Sequence, residues 1–362
     1  MTLSIRLETS CINSHNQSGV TQYTRLLKTA LDETSLIQLS TTNTSRFFAR
    51  IYTKLSGYSP IAHILPKYGA FLPKVDLTIY PNFVTWPTTK SSFTATVIHD
   101  LTYLYFPEVV EEKNLSHLSR VVPRSISKTD FIITVSESVK AELIKEFHLD
   151  SSRCVVTPIP PDSSFFAVAT PSTIKSVKEK YNLKPEKEYI YFIGNLEPRK
   201  NLKTLVEAYQ LLPQEIKDRY SLVLAGGRGW KTESTQEVID KAISSGEDIK
   251  HIGFIDQEDS PVLHQGASLF VMPSLYEGFG MPILEAMASG TPVVSSNIPV
   301  LKEVGAEYAT YADPHSPESF AKAITRTIIS PRPKRNILQE NVHRYSWQDN
   351  VDKIISKTEE LS

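Results

Sequence analysis

Several things are scarce in this chain, and each scarcity excludes something. Cys11 and Cys154 are the only cysteines. Two cysteines so far apart make neither a disulfide framework nor a thiolate zinc site, and they point to a reducing, cytoplasmic compartment. No apolar run approaches the ~20 residues that span a bilayer. The opening Met-Thr-Leu-Ser-Ile-Arg-Leu-Glu lacks the apolar core of a secretory signal. Charge of one sign is also missing. The 39 Lys and Arg against 40 Asp and Glu leave a formal charge of −1, which excludes a global electrostatic drive toward nucleic acid. There is no Asp-x-Asp metal motif, no internal repeat, and the glycine-rich turn at 226–229 lacks the Gly-Lys-Ser/Thr ending of a P-loop. What remains is ordinary: 362 residues, 40% hydrophobic and 22% charged, about two globular domains' worth.

The most informative stretch is Pro273-Ser-Leu-Tyr-Glu277-Gly-Phe-Gly280-Met-Pro-Ile-Leu-Glu285-Ala-Met-Ala-Ser-Gly290-Thr-Pro-Val-Val-Ser295. The apolar run 269–272 before it reads as a buried strand. Gly278 and Gly280 open a loop, Pro282 suits a first helical turn, and Gly290 suits a helix stop. Residues 291–295 read as the next strand, giving a strand–loop–helix–strand unit of a parallel sheet. Ligands of such sheets bind beyond the carboxyl ends of the strands. Glu277 in the loop and Glu285 about one turn into the helix can face one crevice. The glycines let backbone N–H groups approach a ligand, and the helix start suits a phosphate.

This stretch resembles the donor-site signature of retaining glycosyltransferases of the GT-B fold, in the large glycosyltransferase group 1 family. Two glutamates with seven residues between them, Gly-Phe-Gly among these, carry the resemblance. It implies an α/β chain of two Rossmann-like domains whose parallel sheets face a central cleft. It also implies that Phe279, Gly280, Met281 and Glu285 bind the donor, Glu285 through ribose hydroxyls, and that Glu277 holds the sugar.

In the first half, residues 3–7 read as a strand and 21–31 as an amphipathic helix. Gly19, just before that helix, is the position at which the family touches the donor diphosphate, although the family's usual glycine pair is here a single residue. The segment 34–75 has no Asp or Glu and interleaves Arg46, Arg50, Lys54, Lys67 and Lys74 with Phe47, Phe48, Tyr52, Tyr58, Tyr68 and Phe71. That pattern suits either an anionic membrane or lipid-linked acceptor surface over 46–74, or a packing segment with solvated cations. Strands are expected at 77–80 and 93–98, the second ending in His99-Asp100, where a histidine faces the crevice. The run Val97-Ile-His-Asp-Leu-Thr resembles the family's His-Asp segment, which implies that His99 lies beside the transferred sugar. Asp100 reads as orienting a neighbouring loop. A strand at 131–135, a helix at 137–147 capped by Ser136 and a strand at 154–156 complete this half.

In the second half, 189–193 begins a new sheet and leads into Gly194-Asn-Leu-Glu-Pro-Arg199-Lys200-Asn-Leu. That run resembles the family motif whose Arg and Lys hold the diphosphate. Phe254 lies in a strand near 250–255 whose end, in the family, lines the nucleotide base, mostly through backbone atoms. Arg344-Tyr-Ser-Trp347 resembles the point where the last helix returns to the first domain. The expected domains are therefore 1–168 plus 345–362, binding the acceptor, and 169–344, binding the nucleotide sugar.

The resemblance implies a retaining, metal-independent hexosyltransferase. Its catalytic residues are His99, Glu277, Arg199 and Lys200, and its donor contacts are Gly19, Phe254, Phe279, Gly280, Met281 and Glu285. The His-Asp-Leu-Thr and Leu-Glu-Pro-Arg-Lys-Asn versions resemble bacterial mannosyltransferases of surface polysaccharide assembly, so GDP-mannose is the expected donor and a glycan or lipid-linked saccharide the acceptor. No cofactor and no metal are expected, and the compartment is the cytoplasm at the inner membrane face. The alternatives are a UDP-sugar donor, a GT-B epimerase or phosphorylase, or a non-catalytic sugar-nucleotide-binding subunit.

Overall fold

Short runs of β-branched and aromatic residues, apolar on both faces, pack only as interior strands of a parallel sheet with helices on either side. The computed structural model, which describes residues 2–12, 19–42, 73–85, 90–227, 229 and 232–362, contains twelve strands, the central ones of this kind. The described residues divide into two compact units: 1–104 with 112–159 and 346–362, and 105–111 with 160–345.

The first unit holds β1 (Leu3–Glu8), β2 (Ile37–Thr42), β3 (Val75–Tyr80), β4 (Ser91–Ile98), β5 (Phe131–Thr134) and β6 (Cys154–Val156). They pair in parallel in the order β2-β1-β3-β4-β5-β6. Ile5, Leu7, Leu77, Ile79, Val97, Ile132 and Ile133 are fully buried in its core. Asp76 ties β3 to β1 by accepting from both the backbone N–H (2.8 Å) and the hydroxyl (2.6 Å) of Ser4. That pins a register which a one-residue slip would turn inside out. Ser136 caps the helix Glu137–Phe147, accepting from the Val139 N–H at 3.1 Å. The last helix, Trp347–Glu360, belongs to this unit. Its Asn350 donates to the Pro158 carbonyl at 2.6 Å, and Trp347 lies against Tyr23 with ring centroids 5.7 Å apart.

The second unit holds β7 (Glu188–Ile193), β8 (Tyr220–Ala225), β9 (Ile249–Gly253), β10 (Leu269–Met272), β11 (Val293–Ser296) and β12 (Ala309–Ala312), ordered β12-β11-β10-β7-β8-β9. This is the dinucleotide-fold order, and the chain changes direction across the sheet between β7 and β10. β8 and β10 are buried along their whole length. The helices Leu202–Gln210 and Pro317–Ile329 close the core with Leu205, Val206, Phe320 and Ile324. The limit expected between 168 and 169 falls just ahead of a helix, Pro171–Lys180, with Thr170 as its cap.

The basic aromatic segment expected to meet a membrane or acceptor, 46–74, lies outside the described residues except for its last two. Among the described residues, no helix is long and apolar enough to cross a membrane.

Candidate active site

The reversal of strand order between β7 and β10 determines which loops can meet. The loop after β7 carries Arg199 and Lys200, and the loop after β10 carries Glu277. Both leave the carboxyl ends of adjacent parallel strands, where a crevice opens in this topology.

Asn201 holds the two loops together. Its backbone is left-handed (φ 56°), a conformation asparagine tolerates, and its amide donates to the carbonyls of Pro273 (3.0 Å) and Pro314 (2.7 Å). The Leu275 N–H donates to the Arg199 carbonyl at 2.8 Å. This frame leaves the side chains of 199, 200 and 277 little choice. Lys200 Nζ lies 2.5 Å from Glu277 Oε1, and an Arg199 guanidinium nitrogen lies 2.7 Å from Oε2. Ser274 Oγ donates to Oε1 at 2.7 Å, and Glu197 accepts from Arg199 Nε at 2.9 Å. Two cations and two carboxylates thus form one network, with Glu277 at its centre and 7% exposed.

Burial alone pushes the Glu277 carboxyl up. The charges of Lys200 and Arg199 and the hydrogen bonds from Lys200 and Ser274 outweigh it, bringing the group down to about 2. Lys200 is held below the ordinary ammonium value, first by burial and then by neighbouring Arg199, against the pull of Glu277. The direction for the pair follows from Glu277: it is ionised and charge-paired, because its oxygens accept from Lys200, Arg199 and Ser274.

Gly280 precedes the helix Met281–Ala288 with φ +118°, and a Cβ there would sit 2.8 Å from Leu301. Glycine is therefore required both by conformation and by space. Pro282 lies in the first turn, and Gly290, with φ +78°, follows the helix end. Phe279 is buried with its ring edge-on to Tyr345 at 5.8 Å, so its side chain is a packing group and its position offers a ligand backbone atoms. Glu285 is 7% exposed on this helix. Phe254, after β9, is 74% exposed, and its ring lies over Gly227 so closely that a Cβ there would be 2.1 Å from it. The His251 ring nitrogen Nε2 is 2.9 Å from the Gly226 carbonyl and ties β9 to the turn after β8.

Of the residues predicted from sequence, Arg199, Lys200 and Glu277 come into direct contact, while Phe254, Phe279, Gly280, Met281 and Glu285 lie on neighbouring loops and one helix of the same unit. Gly19 and His99 belong to the first unit. Gly19 opens the helix Gly19–Glu33, and a Cβ there would meet nothing within 4 Å. His99 follows β4, with Nε2 2.8 Å from the Pro81 carbonyl and its ring between Tyr23 (4.9 Å) and Phe83 (5.6 Å). Burial pushes its pKa down, against the Pro81 contact and the Asp100 charge. Asp100 accepts from the Thr102 N–H at 2.9 Å, two residues on in its own turn.

Sequence reasoning missed Ser274, Glu197 and the clamp made by Asn201. A serine three residues before a glutamate carries no periodic signal, and Glu197 reads as an ordinary loop carboxylate.

Two parallel six-stranded sheets with these helices define an α/β chain of the GT-B fold. Sucrose-phosphate synthase from Thermosynechococcus elongatus superposes with a TM-score of 0.74 at 18% identity, covering 99% of both chains. Anabaena HepE in complex with UDP-glucose does so with a TM-score of 0.70 at 17% identity, again over 99% of both. Residues 173–345 match the family described as Glycosyl transferases group 1, so the chain carries a glycosyltransferase group 1 domain. O-antigen chain mannosyltransferase B of Escherichia coli is 35% identical over 233 residues, 64% of this chain and 60% of that protein. Serotype-specific mannosyltransferase WbdA of Escherichia coli is 32% identical over 297 residues, 79% of this chain and 35% of that protein. The chain therefore spans 60% of one of these curated relatives and 35% of the other.

Proposed function

We propose that this protein is a retaining glycosyltransferase that moves mannose from GDP-mannose to a glycan or lipid-linked saccharide acceptor. The observation that carries the reading is the contact of Arg199 and Lys200 with Glu277 at the carboxyl ends of β7 and β10. Departure of a nucleoside diphosphate builds negative charge on phosphate oxygens, and a pair of fixed cations stabilises that charge. Arg supplies a forked contact and Lys a point charge. The N–H groups around Gly280 and the start of the Met281–Ala288 helix suit the same phosphates.

Glu277 has two tasks in this reading. In the free site it holds both cations in place. With donor bound, the diphosphate takes over part of their hydrogen bonding, and Glu277, ionised throughout, turns an oxygen to the sugar hydroxyls and the electron-poor anomeric carbon. Glu285 takes ribose hydroxyls, and the exposed ring of Phe254 covers the base. His99 and Gly19 are assigned to the reaction on the family resemblance and on their positions after β4 and at the start of a 15-residue helix. Attack on the same face as departure, with the leaving phosphate taking the acceptor's proton, gives retention. Arg199 and Lys200 serve where other enzymes use a divalent cation. The mannosyl donor is supported by the names of the relatives above, both of them mannosyltransferases.

The test is a thermal-shift panel of GDP- and UDP-sugars, followed by transfer or donor hydrolysis with the best binder, with and without EDTA, and the product anomer read by NMR. GDP-mannose stabilisation, EDTA-resistant turnover and an α product support the reading. Selective stabilisation by a UDP-sugar replaces the donor. Inverted product or Mg²⁺-restored activity overturns the corresponding part, and no response to any nucleotide sugar overturns the whole.

A further inference from the structure

Beneath the helix that carries Glu285 lies a histidine which the mechanism above leaves unused. His264, on the helix Ser260–Gly266 leading into β10, is completely buried. Neither ring nitrogen has a hydrogen-bond partner. Three aromatic rings wall it in: Tyr191 edge-on at 5.1 Å, Phe270 at 5.2 Å and Phe165 at 5.6 Å. Its backbone is fixed as well, because its carbonyl accepts from Thr291 Oγ1 at 2.5 Å. The acidic group nearest its ring is Glu285, with Oε2 3.7 Å from Nε2, just beyond hydrogen-bond reach.

An imidazole with two unpaired nitrogens in an apolar cage costs stability, and cores shed such groups unless they serve something. Sulfur–aromatic or purely apolar packing would fill the same space without that cost. The rings prevent His264 from turning away, so the movable member of the pair is Glu285, whose side chain is 9% exposed and reaches the surface on its other side. The Tyr191 hydroxyl is also buried and unpartnered, and stays protonated: burial first, then the Tyr189 and Glu285 charges, push it well above its ordinary value.

We propose that His264 is a positioning residue for Glu285, donating an Nε2–H hydrogen bond to the inner carboxylate oxygen and so presenting the outer one to a ligand. This rests on the reading in which Glu285 grips the donor ribose. A small rotation within the Glu285 side chain closes this inner contact before the donor arrives. The imidazole thereby selects one rotamer out of several and removes the ordering cost from the binding step.

The experiment uses the full chain with GDP-mannose and UDP-glucose as donor probes. Donor KM and kcat are measured for wild type, His264→Phe, His264→Gln, Glu285→Gln and the His264→Phe/Glu285→Gln double variant, alongside melting temperatures. His264→Phe is expected to raise donor KM on the order of tenfold with little change in kcat, as for a lost hydrogen bond to a charged group. His264→Gln, which keeps an N–H donor, recovers most of it. On the Glu285→Gln background the Phe substitution adds little, since the two residues act as a unit. Equal KM effects in both backgrounds, or Gln as damaging as Phe, overturns the proposal and leaves a packing role. Independently of donor, the ¹⁵N shifts of the His264 ring at one fixed pH report a protonated Nε2 in wild type and change in Glu285→Gln; unchanged shifts overturn the contact. If Glu285→Gln alone leaves donor KM unaltered while the ring shifts respond, the ribose reading has failed and the contact has not.

Discussion

Lys200 and Glu277 lie 77 residues apart in sequence, yet Nζ and Oε1 are separated by only 2.5 Å. Neither side chain is accessible enough for this to be a solvated surface pair, with 12% and 8% of their areas exposed. Removing one partner strands the other. Lys200→Ala is expected to lose on the order of 10²-fold or more in turnover, the scale for losing one transition-state charge stabiliser. Lys200→Arg keeps the charge in a different shape and should fall between. Steady-state kinetics with the donor from the panel checks both, and near-normal turnover of the alanine variant removes the diphosphate role.

The same contact makes stability depend on acid. The folded state holds the Glu277 carboxyl at about 2, below its unfolded value. Its stabilisation is therefore full above about pH 4.5 and is lost as pH falls from there through about 2; the shift corresponds to on the order of 3 kcal/mol as an upper bound. Glu277→Gln should abolish this component while lowering stability at neutral pH, because Lys200 loses its carboxylate partner and Arg199 keeps only Glu197. Urea midpoints measured from pH 7 down to 3 check it. A variant whose midpoint falls with acid as steeply as wild type's counts against the pairing.

Gly226 and Gly227 are adjacent but should respond differently to alanine. At Gly226, φ is +128° and a Cβ would lie 2.0 Å from the Gly194 carbonyl oxygen, so Gly226→Ala should destabilise the fold. At Gly227 the obstacle is the exposed Phe254 ring, which can swing into solvent. Gly227→Ala should leave the melting temperature nearly unchanged and raise donor KM as Phe254→Ala does, with no further rise in the double variant. Additive KM effects would separate the two residues.

His99 is buried and held below the ordinary imidazole value, chiefly by burial. A group whose folded pKa is depressed contributes stability above its unfolded value, about 6.5, and loses it as pH falls from there through the folded value. His99→Gln keeps a donor for the Pro81 carbonyl but has no group to titrate. Its stability should be flatter than wild type's between pH 7 and 5, and its turnover at pH 7.5 should drop at least tenfold. Denaturation at two pH values, with kinetics beside it, decides between a catalytic and a packing histidine.

Local pattern carried much of the fold. β10, the Met281–Ala288 helix, the Glu137–Phe147 helix with its Ser136 cap, and β6 are legible because apolar period, capping chemistry and glycine stops act between residues a few positions apart. The helix Glu112–Lys128 escaped, since it mixes Pro123 with charge and buries only Val121, Val122, Ser125 and Ile126 in its described length. β2 escaped for a similar reason: its Ile-Gln-Leu-Ser-Thr-Thr is half-exposed and weakly apolar.

What the amino-acid sequence determined alone was which residue types stand at the carboxyl ends of which strands: two adjacent cations after β7, two glutamates flanking Gly-Phe-Gly after β10, a histidine after β4. Tertiary structure alone decided that Arg199 and Lys200 close on Glu277, with Ser274 donating to it, that Phe279 packs inward while Phe254 faces outward, and that His264 lies unpaired beneath Glu285. The reason is physical. Those contacts depend on β7 lying beside β10, and strand order in a parallel sheet follows from how whole strands and helices bury one another, which no short run of residues encodes.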